Sequence, residues 1–147
     1  MGAAVAFAPA CTFFEPEVGD PLTACSDVDS NPNATVSFKD QIRPMMSGLV
    51  PGTTGCKKCH YPDGATREGL DQTGLDLSSL RTLRLGGVNT HDDIVIPGQP
   101  CKSAIVSKLR GTYDGARMPK GGPYWNDDQI QLVKDWIAEG AKGDDTE

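Results

Sequence analysis

The sequence predicts an all-α fold of short helices and long loops, with a core that needs a bound group to close. Three observations point there. Glycine and proline are frequent, 17 and 11 in 147 residues, and only 37% of residues are apolar. Helix-start signals stand near both ends of the folding part, Ser37 with Asp40 three residues on and Asn126 with Gln129 three residues on. Between them lies Cys56-Lys57-Lys58-Cys59-His60, a run whose chemistry needs a partner that the chain does not contain.

Two cysteines three apart, followed at once by a histidine, form the attachment signature of a c-type haem. One helical turn brings both thiols to one edge of the macrocycle, where they add across its two vinyl groups. The next residue, His60, can then offer its imidazole to the iron. One such run implies one haem. Two other readings use the same residues. A zinc ribbon wants a second Cys/His pair at similar spacing, whereas His91 and Cys101 stand far apart downstream. A redox Cys-x-x-Cys wants a βαβ setting, which the pattern of elements does not offer.

The chain is acidic, with net charge −6, which argues against nucleic-acid binding. Its length suits one domain. No apolar run approaches the length of a membrane span. Residues 1–10 are small and apolar like the end of a signal peptide, but lack a basic start. They lead into Cys11, where Ala-Pro-Ala-Cys is similar to a lipidation box. Cys11 is therefore a candidate for a lipid anchor, against an ordinary cleavage site. Residues 11–35 read as an N-terminal tether. Within it Asp27, Asp29, Asn31 and Asn33 alternate like the start of a calcium loop. Pro32 and Phe38 occupy positions where that loop needs Gly and Glu, so Asx-turns are expected instead. The folded domain is expected over 36–142, with an acidic tail over 143–147.

Along the domain, Phe38, Ile42 and Met45 or Met46 share one face of a first helix, which Pro44 kinks or shortens. A Gly/Pro/Thr loop, 48–55, leads to the cysteines. Leu80 and Leu83 mark a short helix over 78–85, stopped by Gly86-Gly87. Residues 100–109 read as a third helix, and 111–125 as a loop carrying Arg117-Met118-Pro119. The last helix follows Asn126, with Ile130, Val133 and Ile137 on one face, Trp136 beside them, and an end at Gly140.

A haem iron leaves a sixth position, for which Met45, Met46, Met118 and His91 are the available ligands. Met118 sits outside any periodic apolar face, in a Pro/Gly-rich loop able to cross the far side of a haem. It is the expected ligand, with His91 or an open position as alternatives. At this point the chain resembles the class I monohaem cytochromes c, and most closely a planctomycete-type cytochrome c module. The residues that carry the resemblance are Cys56–His60, the stretch 37–44, Leu75-Asp76-Leu77, Pro97-Gly98-Gln99-Pro100, Met118-Pro119-Lys120-Gly121-Gly122 and the stretch 136–141, within about 36–142. The resemblance implies an all-α cytochrome c-like fold, with first and last helices crossing and the haem c between them and two loops. The 48–55 loop looks longer than the family's and is expected to shield part of that edge.

With His60 and Met118 on the iron, no substrate can reach it, and the expected function is electron transfer rather than catalysis. A peroxidase-like enzyme or gas sensor would need an open sixth position. An electron-port domain of a larger oxidoreductase would carry the same module. Covalent haem attachment of this type takes place outside the cytoplasm, so a periplasmic or membrane-anchored, outward-facing location is expected and disulfides are permitted. Cys25 and Cys101 remain after haem and lipid, and form the candidate bridge; Cys11–Cys25 with Cys101 free is the alternative. Lys57 and Lys58 on one wall of the exposed haem edge, and Arg117 and Lys120 on the other, are the expected docking rim for redox partner proteins with an acidic patch. Tyr124 and Trp125 flank the Met118 loop and are candidates to hydrogen-bond a haem propionate or simply to pack.

Overall fold

The computed structural model of the protein describes residues 24–144, so Cys11, the segment 1–10 and the end of the acidic tail lie outside the described residues. Within them the chain is helical and has no strand. The α-helices are α1 (Arg43–Ser47), α2 (Lys57–His60), α3 (Glu68–Thr73), α4 (Leu80–Leu85), α5 (Ala104–Arg110) and α6 (Asp127–Ala138). Loops, a π-turn over Phe38–Ile42 and 3-10 turns over His91–Ile94 and Pro100–Lys102 join them.

The first helical segment starts where its cap says. Ser37 Oγ accepts the Asp40 N–H. Pro44 explains the π-turn over Phe38–Ile42. Its ring has no N–H and would press on the carbonyl of Asp40 in a regular α-helix, and a wider turn just before it relieves that clash. Phe38, Ile42, Met45 and Met46 are all buried, so both methionines belong to the core. Phe38 packs on Trp136 of α6 with ring centroids 5.3 Å apart, which joins the first helical segment to the last. Trp136 still satisfies its indole N–H by donating to the Lys142 carbonyl at 2.9 Å.

α4 and α6 each begin in a reciprocal capping box, Ser79 with Thr82 and Asn126 with Gln129. The expected third helix is split. Pro100–Lys102 is a 3-10 turn, and α5 begins only at Ala104, because Ser103 turns its Oγ back onto the Gln99 carbonyl at 3.0 Å. α3 has no counterpart in the sequence reading.

The tether expected over 11–35 does not hang free over its described part. Cys25 is bonded to Cys101, their Cα atoms 5.6 Å apart across a sequence separation of 76. Asp27 Oδ1 accepts the Cys101 N–H at 2.8 Å. Asp29 pairs with Lys134 of α6, whose side chain is only 2% exposed. The backbone N–H groups of Asn31, Thr35 and Val36 donate to Asp135 and Glu139. Residues 24–36 therefore form a strap along α6. Asp27 and Asp29, two of the residues that imitate a calcium loop, are spent on this docking, and Asn31 Oδ1 makes an Asx-turn with the Asn33 N–H at 3.0 Å.

Candidate haem site

The site is built from the end of α1 outward. The 48–55 loop doubles back so closely that a Cβ on Gly55 would lie 2.4 Å from the Gly48 nitrogen; only glycine permits that approach. The loop is tied to the far side of the domain, with Trp125 Nε1 donating to the Thr54 carbonyl at 2.9 Å and Gln129 Nε2 to the Gly52 carbonyl at 3.4 Å. This delivers Cys56 beneath α1, where its N–H donates to the Met46 carbonyl at 2.6 Å. The single turn α2 follows, with the Cys59 and His60 N–H groups both directed to the Cys56 carbonyl.

Cys56 and Cys59 are free thiols and both half-buried. Burial, reinforced by the neighbouring Cys59, pushes the Cys56 thiol up to about 12. His60 is 9% exposed, and its Nδ1 donates to the Leu75 carbonyl at 3.1 Å. That bond fixes the ring and its tautomer, and Nε2 is left without a hydrogen-bond partner among the described residues. Burial lowers the imidazole's pKa, partly opposed by the Leu75 bond, so the ring is neutral and able to ligate at pH 7.

Gly69, in α3, lies against this imidazole. A Cβ there would stand 2.5 Å from both Cε1 and Nε2 of His60. Glycine inside a helix costs about 1 kcal/mol relative to alanine, and the contact with His60 explains its presence. Gly69→Ala is expected to displace the His60 ring while leaving both cysteines in place, and to cost roughly 1–3 kcal/mol through overpacking. Thermal denaturation of purified parent and variant checks the cost.

Met118 is half-buried in the 111–125 loop, its N–H donating to the Lys108 carbonyl at 3.0 Å. The peptide bond to Pro119 is cis. Arg117 anchors the same loop, with Nε donating to the Leu109 carbonyl at 2.9 Å and its guanidinium 4.2 Å from the centre of the Tyr124 ring. His91, the alternative ligand, is exposed on its 3-10 turn. Trp125 spends its N–H on the Thr54 carbonyl, and the Tyr124 ring lies under the Arg117 guanidinium. Of the basic rim, Lys57 is paired with Asp63 at 2.7 Å and Arg117 is engaged as described, whereas Lys58 and Lys120 are exposed.

Among the described residues, no three His, Cys, Asp or Glu side chains gather where they could hold a metal ion. No described helix is long and apolar enough to cross a membrane. The chain matches no protein-family model, no curated protein and no solved structure.

Two contacts of the candidate site escape a reading of the sequence. The Leu75 carbonyl is a backbone group and leaves no mark in side-chain pattern. Gly69 is one glycine among many, and only its contact with His60 singles it out.

Proposed function

We propose that the protein is an electron carrier of the class I cytochrome c type, holding one haem c through Cys56 and Cys59, with His60 and Met118 as axial ligands. The observation that carries this reading is the pose of His60, a buried, neutral imidazole anchored through Nδ1 with Nε2 unpartnered, directly after two half-buried thiols on one helical turn. The donor set fits the group. A haem would use two thiols for its vinyl carbons and one imidazole for its iron, and Cys56, Cys59 and His60 are of those types. When bound, the haem supplies a one-electron ferric/ferrous couple. The chain's part is to hold the ring of His60, to keep the Met118 loop anchored through Lys108 and Arg117, and to pack Phe38 on Trp136 behind the site. The Cys25–Cys101 bridge suits an oxidising, extracytoplasmic compartment.

The direct test is expression with a haem-maturation system, followed by acid–acetone extraction and a denaturing gel. Haem that stays with the polypeptide supports the reading; haem that is extracted overturns it. The oxidised spectrum then separates carrier from enzyme or sensor. A sulfur-to-iron band at the red edge marks Met ligation, and a high-spin spectrum marks an open position.

For docking, the free charges narrow the rim to Lys58 and Lys120. A Lys58→Glu/Lys120→Glu variant is expected to lose electron-transfer rate with an acidic partner, on the order of ten-fold at low ionic strength, with the deficit shrinking as salt screens it. Stopped-flow rates over a salt series check this; equal rates at every salt concentration would remove the rim from the docking surface.

A further inference from the structure

The loop that carries Met118 is held at two levels, and one residue takes part in both. At the neck, the Thr112 N–H donates to the Ser107 carbonyl at 2.9 Å and the Met118 N–H to the Lys108 carbonyl at 3.0 Å. At the tip, the Lys108 side chain leaves α5 and reaches across the loop. Its ammonium donates to the Asp114 carbonyl and stands 5.0 Å from the centre of the Tyr113 ring. Gly115 comes so near that a Cβ on it would lie 3.5 Å from Lys108 Nζ.

The tip is the part of this loop most open to water. Gly111, Thr112, Asp114, Gly115 and Ala116 are exposed, and only Tyr113 among them packs against the core. Gly111 and Gly115 both have positive φ, 76° and 81°. Exposed backbone with glycine at its turns belongs to the part of a fold that opens first. The neck bond to Met118 uses a carbonyl, which any residue at position 108 would offer. The tip contacts need an ammonium, and that is what lysine adds.

We propose that the Lys108 ammonium latches this loop, and so sets how readily Met118 gives up the sixth position to an outside ligand. This rests on the reading of Met118 as an axial ligand. Lys108 is a positioning residue, acting through the loop and not on the iron. A charge-assisted hydrogen bond and a cation–ring contact at a partly exposed site are together expected to hold the loop closed by roughly five- to ten-fold.

The test uses the holoprotein and its Lys108→Met and Lys108→Arg variants. Methionine keeps an unbranched stem and removes the charge; arginine keeps a charge and donors. Imidazole is titrated into the ferric protein while the sulfur-to-iron band is followed. The band is expected in all three proteins before imidazole is added. In Lys108→Met it should disappear at roughly five- to ten-fold lower imidazole, and Lys108→Arg should behave like the parent. Hydrogen exchange at the Met118 N–H should quicken by a similar factor in Lys108→Met, with the strap N–H groups of Asn31, Thr35 and Val36 unchanged. Equal quickening at the strap would make Lys108 a general stabiliser and overturn the positioning role. A Lys108→Met protein that matches a band-bearing parent in both measurements overturns the latch alone. A parent without the band overturns the Met118 reading and the proposal with it.

Discussion

Replacing Cys25 and Cys101 together by serine is expected to lower the unfolding free energy by about 4 kcal/mol. The bridge closes a loop with a sequence separation of 76, and the chain-entropy account gives a loss of this size for such a loop. The effect does not end with the unfolded state. The strap that the bridge pins is the source of Asp29, the only carboxylate among the described residues paired with the buried Lys134. Gln131 reaches Lys134 as well, at 3.4 Å, but offers no charge. If the strap frays, an ammonium group is left at 2% exposure with nothing to balance it, and water must reach it. Calorimetry should show a fall in Tm of roughly 8–16 °C for a chain of this length. Hydrogen exchange should show lost protection at the N–H groups of Asn31, Thr35 and Val36. A variant with unchanged Tm would mean that the polar contacts of the strap hold it without the covalent bond. Non-reducing peptide mapping is the companion measurement; recovery of an alkylated Cys101 peptide would remove the bridge.

Met118→Ala is expected to abolish the sulfur-to-iron band completely, with haem still covalently attached. Alanine has no donor atom, and the ferric iron should become high-spin or take up an added ligand such as imidazole. The Met118 loop itself should survive, because its anchors are the Met118 N–H to Lys108 and the Arg117 side chain to Leu109, which the substitution leaves in place. The reduction potential should fall, since a thioether favours the ferrous state more than an imidazole or water does. A low-spin spectrum identical to the parent's would transfer the sixth position to His91, which stands exposed.

How far the sequence alone reaches can be judged element by element. Ser37 and Asn126 stand at the helix starts where their side chains cap backbone N–H groups. Capping is a contact over three residues, so it is legible locally. α3 is too short and too polar to leave an apolar period, and the tertiary structure decides it. The π-turn is half legible: Pro44 announces a disturbance, but not how the turn before it accommodates the ring.

The same division runs through the site. Cys56, Cys59 and His60 are fixed by bond chemistry over five consecutive positions, and sequence is enough to name them as haem-binding candidates. The strap is different. The alternation of Asp27, Asp29, Asn31 and Asn33 shows only that they turn the chain; α6, a hundred residues away, decides that Asp29 meets Lys134 and Asn31 meets Asp135. Likewise, Lys57 and Lys58 are equal in the sequence, and folding sets them apart by bringing Asp63 within 2.7 Å of one and leaving the other exposed. Local composition determined the helical class, the caps and the attachment motif, because each depends on neighbours within a turn or two. Which carbonyl orients His60, which glycine faces it, which charges stay free and where the N-terminal segment lies were decided by tertiary structure, because each depends on a residue that only the folded chain brings into reach.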